Sequence, residues 1–240
     1  MLDILLQLSF LFLMIMFVKN IMDMKKYNSE SQVVELNGIG NGLGNGLGND
    51  TDNEIENDKK IMDPLLIKYK FDTIDLQKYI VENPLKHYCM GDMCLRLSDY
   101  DTLNDIYIYK NEQLCNDLNL KYKSNQIIEK FQNMYSFNAK SYCSLLKGNI
   151  DITIDKNNNN ICLIGCLDGS CKIYLYNPKH SDLLKDDNIK KYGIQIDLIK
   201  DKLLYIPSEW QYSIHTKEKC ALLHLQCDTY FTSLYNEYRV

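Results

Sequence analysis

The stretches ICLIGCLDGSCKIYLYNP (161–178), DKLLYIPSEWQYSIH (201–215) and CALLHLQC (220–227) decide the architecture of this chain. In the first, runs rich in Ile, Leu and Tyr flank Asp168 and Gly169, and Pro178 closes the second run. Such runs suit strands on either side of a glycine turn, so a β-hairpin is expected. In the second, a strand enters a turn at Pro207 and leaves through Trp210, the single tryptophan. A further turn over 216–219 leads into 220–227, and a second hairpin is expected there.

The segment GSCKIYLYNP (169–178), followed by LYIPSEW (204–210), resembles the second half of the JmjC family of cupin-like Fe(II)/2-oxoglutarate oxygenases. In that family a strand of the form G-x-x-K-x-W/Y…P precedes one of the form L-(F/Y)-I-P-x-x-W-x-H. The similarity covers 145–230 by motif and 63–144 by general layout only. It implies a chain that is mainly β with flanking helices (α+β), built on a double-stranded β-helix. That cupin or jelly-roll barrel has two facing antiparallel sheets and its site inside.

The chemistry of the resembled family needs two histidines and one carboxylate on one side of an open iron site. The family supplies His-x-Asp/Glu before the glycine turn and a distal His two residues after the tryptophan. Counting back from Gly169, the first pair falls on Ile154 and Lys156, or on Lys156 and Asn158, and no histidine lies between His87 and His180. The distal position falls on Tyr212. Alternation along the strand puts Trp210, Tyr212 and Ile214 on one face and His215 on the other. The resemblance without its ligands points to a non-catalytic pseudo-enzyme, a binding or scaffolding module with no catalytic residue and no cofactor expected. Its pocket is expected to be lined by Lys172, Tyr174, Trp210 and Tyr212. Lys172 matches the basic residue that in many family members pairs with the distal carboxylate of 2-oxoglutarate, which implies a small anion or a protein as ligand. A competing reading is an active Fe(II)/2-oxoglutarate-dependent protein hydroxylase or demethylase, with ligands recruited from Asp151 or Asp155, His180 and His224. A third is a purely structural membrane-associated protein.

The chain of 240 residues carries a net charge of −5. Arg96 and Arg239 are its only arginines. That balance argues against a nucleic-acid partner. Nine cysteines, none in a C-x-x-C pair, read as small buried residues in a reducing compartment. Cys89 and Cys94 flank a turn at Gly91.

Residues 2–18 are an apolar run followed by Lys19, Lys25 and Lys26. A run of about 17 residues suffices to span a bilayer. The positive flank then places the remainder on the cytoplasmic side, as a single-pass membrane protein. The expected division is an anchor over 1–19, a linker over 20–62 and the cupin-like domain over 63–240. The linker holds the repeats NGIG, NGLG and NGLG (37–48) and an acidic run, both costly to order. Within the domain, short helices are expected at 73–80, capped by Asp72 or Thr73, and at 124–131, capped by Ser124. Strands are expected at 105–109 and 151–155.

Overall fold

In the computed structural model the described residues are 2–24, 34–36, 63–71, 74–131, 136–185 and 193–237. The glycine repeats, the acidic run and the expected caps Asp72 and Thr73 lie outside them.

The framework among the described residues is twelve strands. Strand β1 (Val34–Leu36) lies in the expected linker and pairs in parallel with β2 (Leu65–Lys68). Hairpin β3 (His87–Met90) and β4 (Met93–Arg96) precedes β5 (Ile106–Asn111). Then come β6 (Ser136–Lys147), β7 (Ile150–Lys156), β8 (Ile161–Tyr176), β9 (Ile194–Ile199), β10 (Lys202–Ile206), β11 (Gln211–Thr216) and β12 (Cys220–Thr229). The larger sheet runs β1-β2-β10-β8-β12-β6-β5. The smaller one runs β7-β11-β8-β9, with β8 common to both. From β6 to β12 the chain therefore passes back and forth between two facing sheets. This connectivity is a double-stranded β-helix, a cupin-like jelly roll.

Two expectations are corrected here. Residues 161–178 do not form a hairpin: β8 is one strand of 16 residues that bends from the larger sheet into the smaller. The bend is made by Gly169, whose φ of +75° is open to glycine at little cost, and Asp168 to Ser170 are exposed around it. Likewise β11 and β12 are not hydrogen-bonded to each other, because the turn between them crosses from the smaller sheet to the larger. A glycine or a polar turn marks a change of direction, and the hydrophobic inner face decides whether the next strand pairs with the last one or faces it.

Two apolar layers result. Between the sheets lie Ile164, Ile173, Leu175, Leu204, Ile206, Trp210, Tyr212, Ile214 and Leu222, all nearly free of solvent contact. Behind the larger sheet, Ile67, Ile108, Leu145, Leu163, Leu203, Leu223 and Leu225 meet the helices α2 (Leu76–Glu82), α3 (Leu97–Thr102), α4 (Glu112–Asp117) and α5 (Lys121–Glu129). Alternation explains the split: Leu222 faces the barrel, and Leu223 and Leu225 face the helices. Helix α2 is capped by Asp75, whose side chain accepts from the Lys78 N–H. Helix α5 starts before Ser124, so that residue is no cap: it is buried and its hydroxyl donates to the Leu120 carbonyl.

Helix α1 (Leu2–Met24) extends past the expected end of the anchor. Among the described residues no helix is long and apolar enough to cross a membrane, so the expected span is not reproduced. Helix α1 lies against α6 (Tyr230–Glu237), where the rings of Phe17 and Phe231 meet edge-on with centroids 6.0 Å apart.

The bend in β8 is tightly enclosed. A Cβ on Gly169 would lie 2.0 Å from the Lys219 carbonyl oxygen, whereas one on Gly91, also at positive φ, meets nothing within 4 Å. Gly169→Ala is expected to lower unfolding free energy by about 3 kcal/mol and Gly91→Ala by about 1 kcal/mol, as read by urea denaturation. Equal effects at the two positions would contradict this account of the bend.

Candidate functional site in the barrel

Two local irregularities bring charge to the barrel. In β7, the register against β11 slips: Tyr212 faces Asp155, yet Ile214 faces Ile152. One extra residue in β7 is a bulge, and it reverses the side-chain parity beyond it. Asp151 thus stays on the outer face and Asp155 turns inward. In β5, a second irregularity separates Ile108 from Asn111, and Lys110 between them has φ +47°. A lysine in that region is uncommon and held by its surroundings. The Lys110 N–H donates to the Ser144 hydroxyl at 2.8 Å.

The consequence is a cation held on a carboxylate. The Lys110 ammonium pairs with Asp155 Oδ2, which also accepts from the Tyr212 hydroxyl at 3.0 Å and the Tyr109 hydroxyl at 3.4 Å. Lys110 Nζ lies 5.4 Å from the Tyr109 ring centroid and 5.6 Å from that of Tyr212. Both faces are attractive to a cation. Burial, with Asp155 beside them, pushes both phenols above their ordinary range, so they serve Asp155 as donors. Cys162 belongs to the same inner layer, and burial pushes its thiol up to about 12.

His224 stands behind this group. It is buried on β12, its ring meets Tyr109 edge-on at 5.4 Å, and Nε2 shares a hydrogen bond of 2.9 Å with the Ser144 hydroxyl. Among the described residues its Nδ1 has no hydrogen-bond partner, and neither has the Trp210 indole nitrogen. Burial, and after it the Lys110 ammonium, holds the imidazole well below 6.5, in its neutral form.

The turn beneath Trp210 is tied by Asn157, which is buried. Its amide donates to the carbonyls of Ile206 and Pro207 at 2.8 and 3.0 Å. Its backbone N–H donates to the Trp210 carbonyl. Lys156 and Glu209 pair beside it at 2.5 Å.

Of the expected pocket residues, Trp210 and Tyr212 lie between the sheets, while Lys172 and Tyr174 lie on the outer face of the smaller one. On β8 it is Ile173 and Leu175 that point inward, so the four do not line one pocket. Lys172 faces His215 on one neighbouring strand and Asp197 on the other, in an open groove of about 320 Å³. His215 donates or accepts at Nδ1 with Asp151 at 2.8 Å in the same row. His180 is exposed on a 3₁₀ turn (Pro178–Lys185). Among the described residues no group of three or more His, Cys, Asp or Glu is placed to hold a metal. Cys89 and Cys94, expected as buried thiols, are exposed and joined in a disulfide, and the other seven cysteines are buried thiols. Lys110 went unnoticed in the sequence. Its available signal is the break in alternation at IYIYKN (106–111).

No protein-family model matches the chain, and no curated protein matches it in sequence. Among solved structures it is similar to a cupin superfamily protein of Desulfitobacterium hafniense, at 15% identity and TM-score 0.29, over 40% of this chain and 71% of that one. It is similar to the cupin domain of Schizosaccharomyces pombe Cnp3, at 18% identity and TM-score 0.30, over 45% and 66%. The coconut allergen cocosin matches at 13% identity and TM-score 0.32, over 38% and 22%. Likeness at that level adds nothing to the strand order, on which the cupin-like fold rests.

Two outcomes follow for the barrel. Lys110→Met leaves Asp155 without its counter-charge; since the pair is 21% and 33% exposed, a loss of about 1–2 kcal/mol is expected. Lys110→Met combined with Asp155→Leu should cost less than the sum of the singles, measured as a double-mutant cycle. For His224, the folded pKa lies below the unfolded one. Its contribution is therefore complete above pH 6.5 and is lost as pH falls from there towards the folded value. Asp101 and Asp117, which lysines hold below 3.8, act only in stronger acid. Urea midpoints at pH 7 and pH 5 should differ for the native protein, and less so for His224→Gln.

Proposed function

We propose that this protein is a membrane-tethered, JmjC-type cupin-like domain that works as a binding or scaffolding module and not as an iron oxygenase. The observation that carries the reading is the Lys110 ammonium on Asp155. An Fe(II)/2-oxoglutarate site needs a free carboxylate beside two imidazoles. Here the inward carboxylate is engaged by Lys110, Tyr109 and Tyr212. The single inward imidazole, His224, is bonded to Ser144 and meets the Tyr109 ring. These residues do not fit iron. An internal cation satisfies the carboxylate instead.

Ligand contact then falls to the outside of the barrel. The groove holds Lys172, His215 and Lys217 together with Asp197 and Glu218, a mixed-charge lining that suits a protein segment, or a small anion taken by the two lysines. The tether is α1: Leu5, Leu6, Leu8, Phe10, Phe12 and Ile15 are all exposed on it. A helix apolar on every side is stable against lipid and not against water. Lys19 in its C-terminal part and Lys25 and Lys26 after it favour the cytoplasmic side for the domain.

The full chain purified in detergent from iron-replete cells is expected to carry far less than one metal per chain. Its melting temperature should not move with Mn(II) and 2-oxoglutarate together, whereas a ligand of the folded state would raise it. Near-stoichiometric metal, or a shift requiring both additions, would overturn the reading in favour of an active hydroxylase. Separately, the full chain should float with phosphatidylcholine vesicles and a chain lacking residues 2–24 should not. Equal flotation of both would remove the tether.

A further inference from the structure

Among the described residues hairpin β3–β4 pairs with no other strand, and each of its strands has four residues. An isolated two-stranded hairpin of that length is marginal in water. Cys89 and Cys94 are directly opposed in it and joined by a disulfide, and both are exposed. The same end of the hairpin grips β5 on both sides of Lys110. The Tyr109 N–H donates to the Met90 thioether at 2.9 Å, and the Asn111 side-chain amide donates to the Cys89 carbonyl at 3.1 Å. Between those two anchors Lys110 holds the left-handed backbone that aims its ammonium at Asp155.

We propose that Cys89–Cys94 is a thiol-exchange site whose redox state sets the position of Lys110, and so the state of the barrel. Its co-reactant is a thiol reductant, a small thiol or a protein dithiol. A thiolate attacks one sulfur of the pair, the Cys89–Cys94 bond breaks and a mixed disulfide forms. A second reductant thiolate then attacks the reductant's sulfur in the mixed disulfide and expels the remaining cysteine as its thiolate. In total two electrons and two protons pass to the protein, which gains two thiols, and the reductant leaves as its disulfide. With the staple gone, the hairpin end loosens, both anchors on β5 weaken, and the strained Lys110 backbone relaxes away from Asp155. The other seven cysteines take no part because they are buried. The inference is independent of whether the barrel is catalytic.

The test is amide hydrogen exchange of the full chain in detergent, before and after dithiothreitol, with alkylation of the native protein read by mass spectrometry. Dithiothreitol should expose two alkylation sites, Cys89 and Cys94. The amides of Tyr109 and Lys110 should then exchange about tenfold faster, with those of β8 and β12 unchanged. Cys89→Ser with Cys94→Ser should show the fast exchange without reductant and no response to it. Reoxidation of the native protein should restore slow exchange, which keeps the test open should the double variant fail to fold. Three results would overturn the proposal: Cys89 and Cys94 alkylated without reductant, unchanged exchange at Tyr109 and Lys110 after reduction, or faster exchange throughout the protein.

Discussion

The fold depends on β8 belonging to both sheets. A strand of 16 residues that changed sheets without a bend would carry one face from the barrel interior into solvent. Gly169 supplies the bend, and the close approach of the Lys219 carbonyl fills the space a side chain would need. On one side of it Cys162, Ile164 and Cys166 point between the sheets, and on the other Cys171, Ile173 and Leu175 do. Every neighbour in both sheets takes its register from this strand: β10 and β12 from the first half, β11 and β9 from the second.

Given that frame, the barrel's polar content follows from parity. A strand has a side-chain period of two, so one extra residue flips everything beyond it. The slip in β7 sends Asp155 inward opposite Tyr212 and leaves Asp151 outside with His215. The irregularity in β5 does the same for Lys110. Neither residue is inward by regular alternation, and each is tolerable between the sheets because the other is there. Bulges beside functional sites commonly re-aim side chains in this way.

This also explains what could be read from the sequence. Apolar runs, the turn residues Gly91, Gly169 and Pro207, and the break before Pro84 are local signals, and they place most strands and helix α2 within a few residues. The inward placing of Trp210 and Tyr212 is legible because β11 alternates cleanly from Tyr212 through His215. What was not legible was pairing. Whether the turn at Gly169 closes a hairpin or bends a strand depends on an inner face formed by residues far along the chain. The inward face of Lys110 and Asp155 depends on bulges, and the resembled family's spacing, counted back from Gly169, lands on Ile154 and Lys156, one residue to either side of Asp155. Lys172 was placed correctly on one face with Tyr174, but that face is the outer one, since Ile173 and Leu175 are the residues the barrel needs. The exposed disulfide could not be read from spacing alone, because pairing needs both cysteines directly opposed across the hairpin.

The charge balance inside the barrel carries the last step. A carboxylate partly withdrawn from water needs a cation, and desolvation without one costs several kcal/mol. A metal supplies that cation only where its other ligands are present, and it makes the folded state dependent on metal supply. An ammonium from β5 supplies it from within the chain. It brings its own hydrogen bonds and aromatic faces, and it is positioned when the strand folds. The tyrosines fit this arrangement and no iron-centred one: their hydroxyls stay protonated and donate to the Asp155 oxygen that Lys110 also binds. In a barrel balanced in this way the inward carboxylate is satisfied from within the chain, by one ammonium and two phenols.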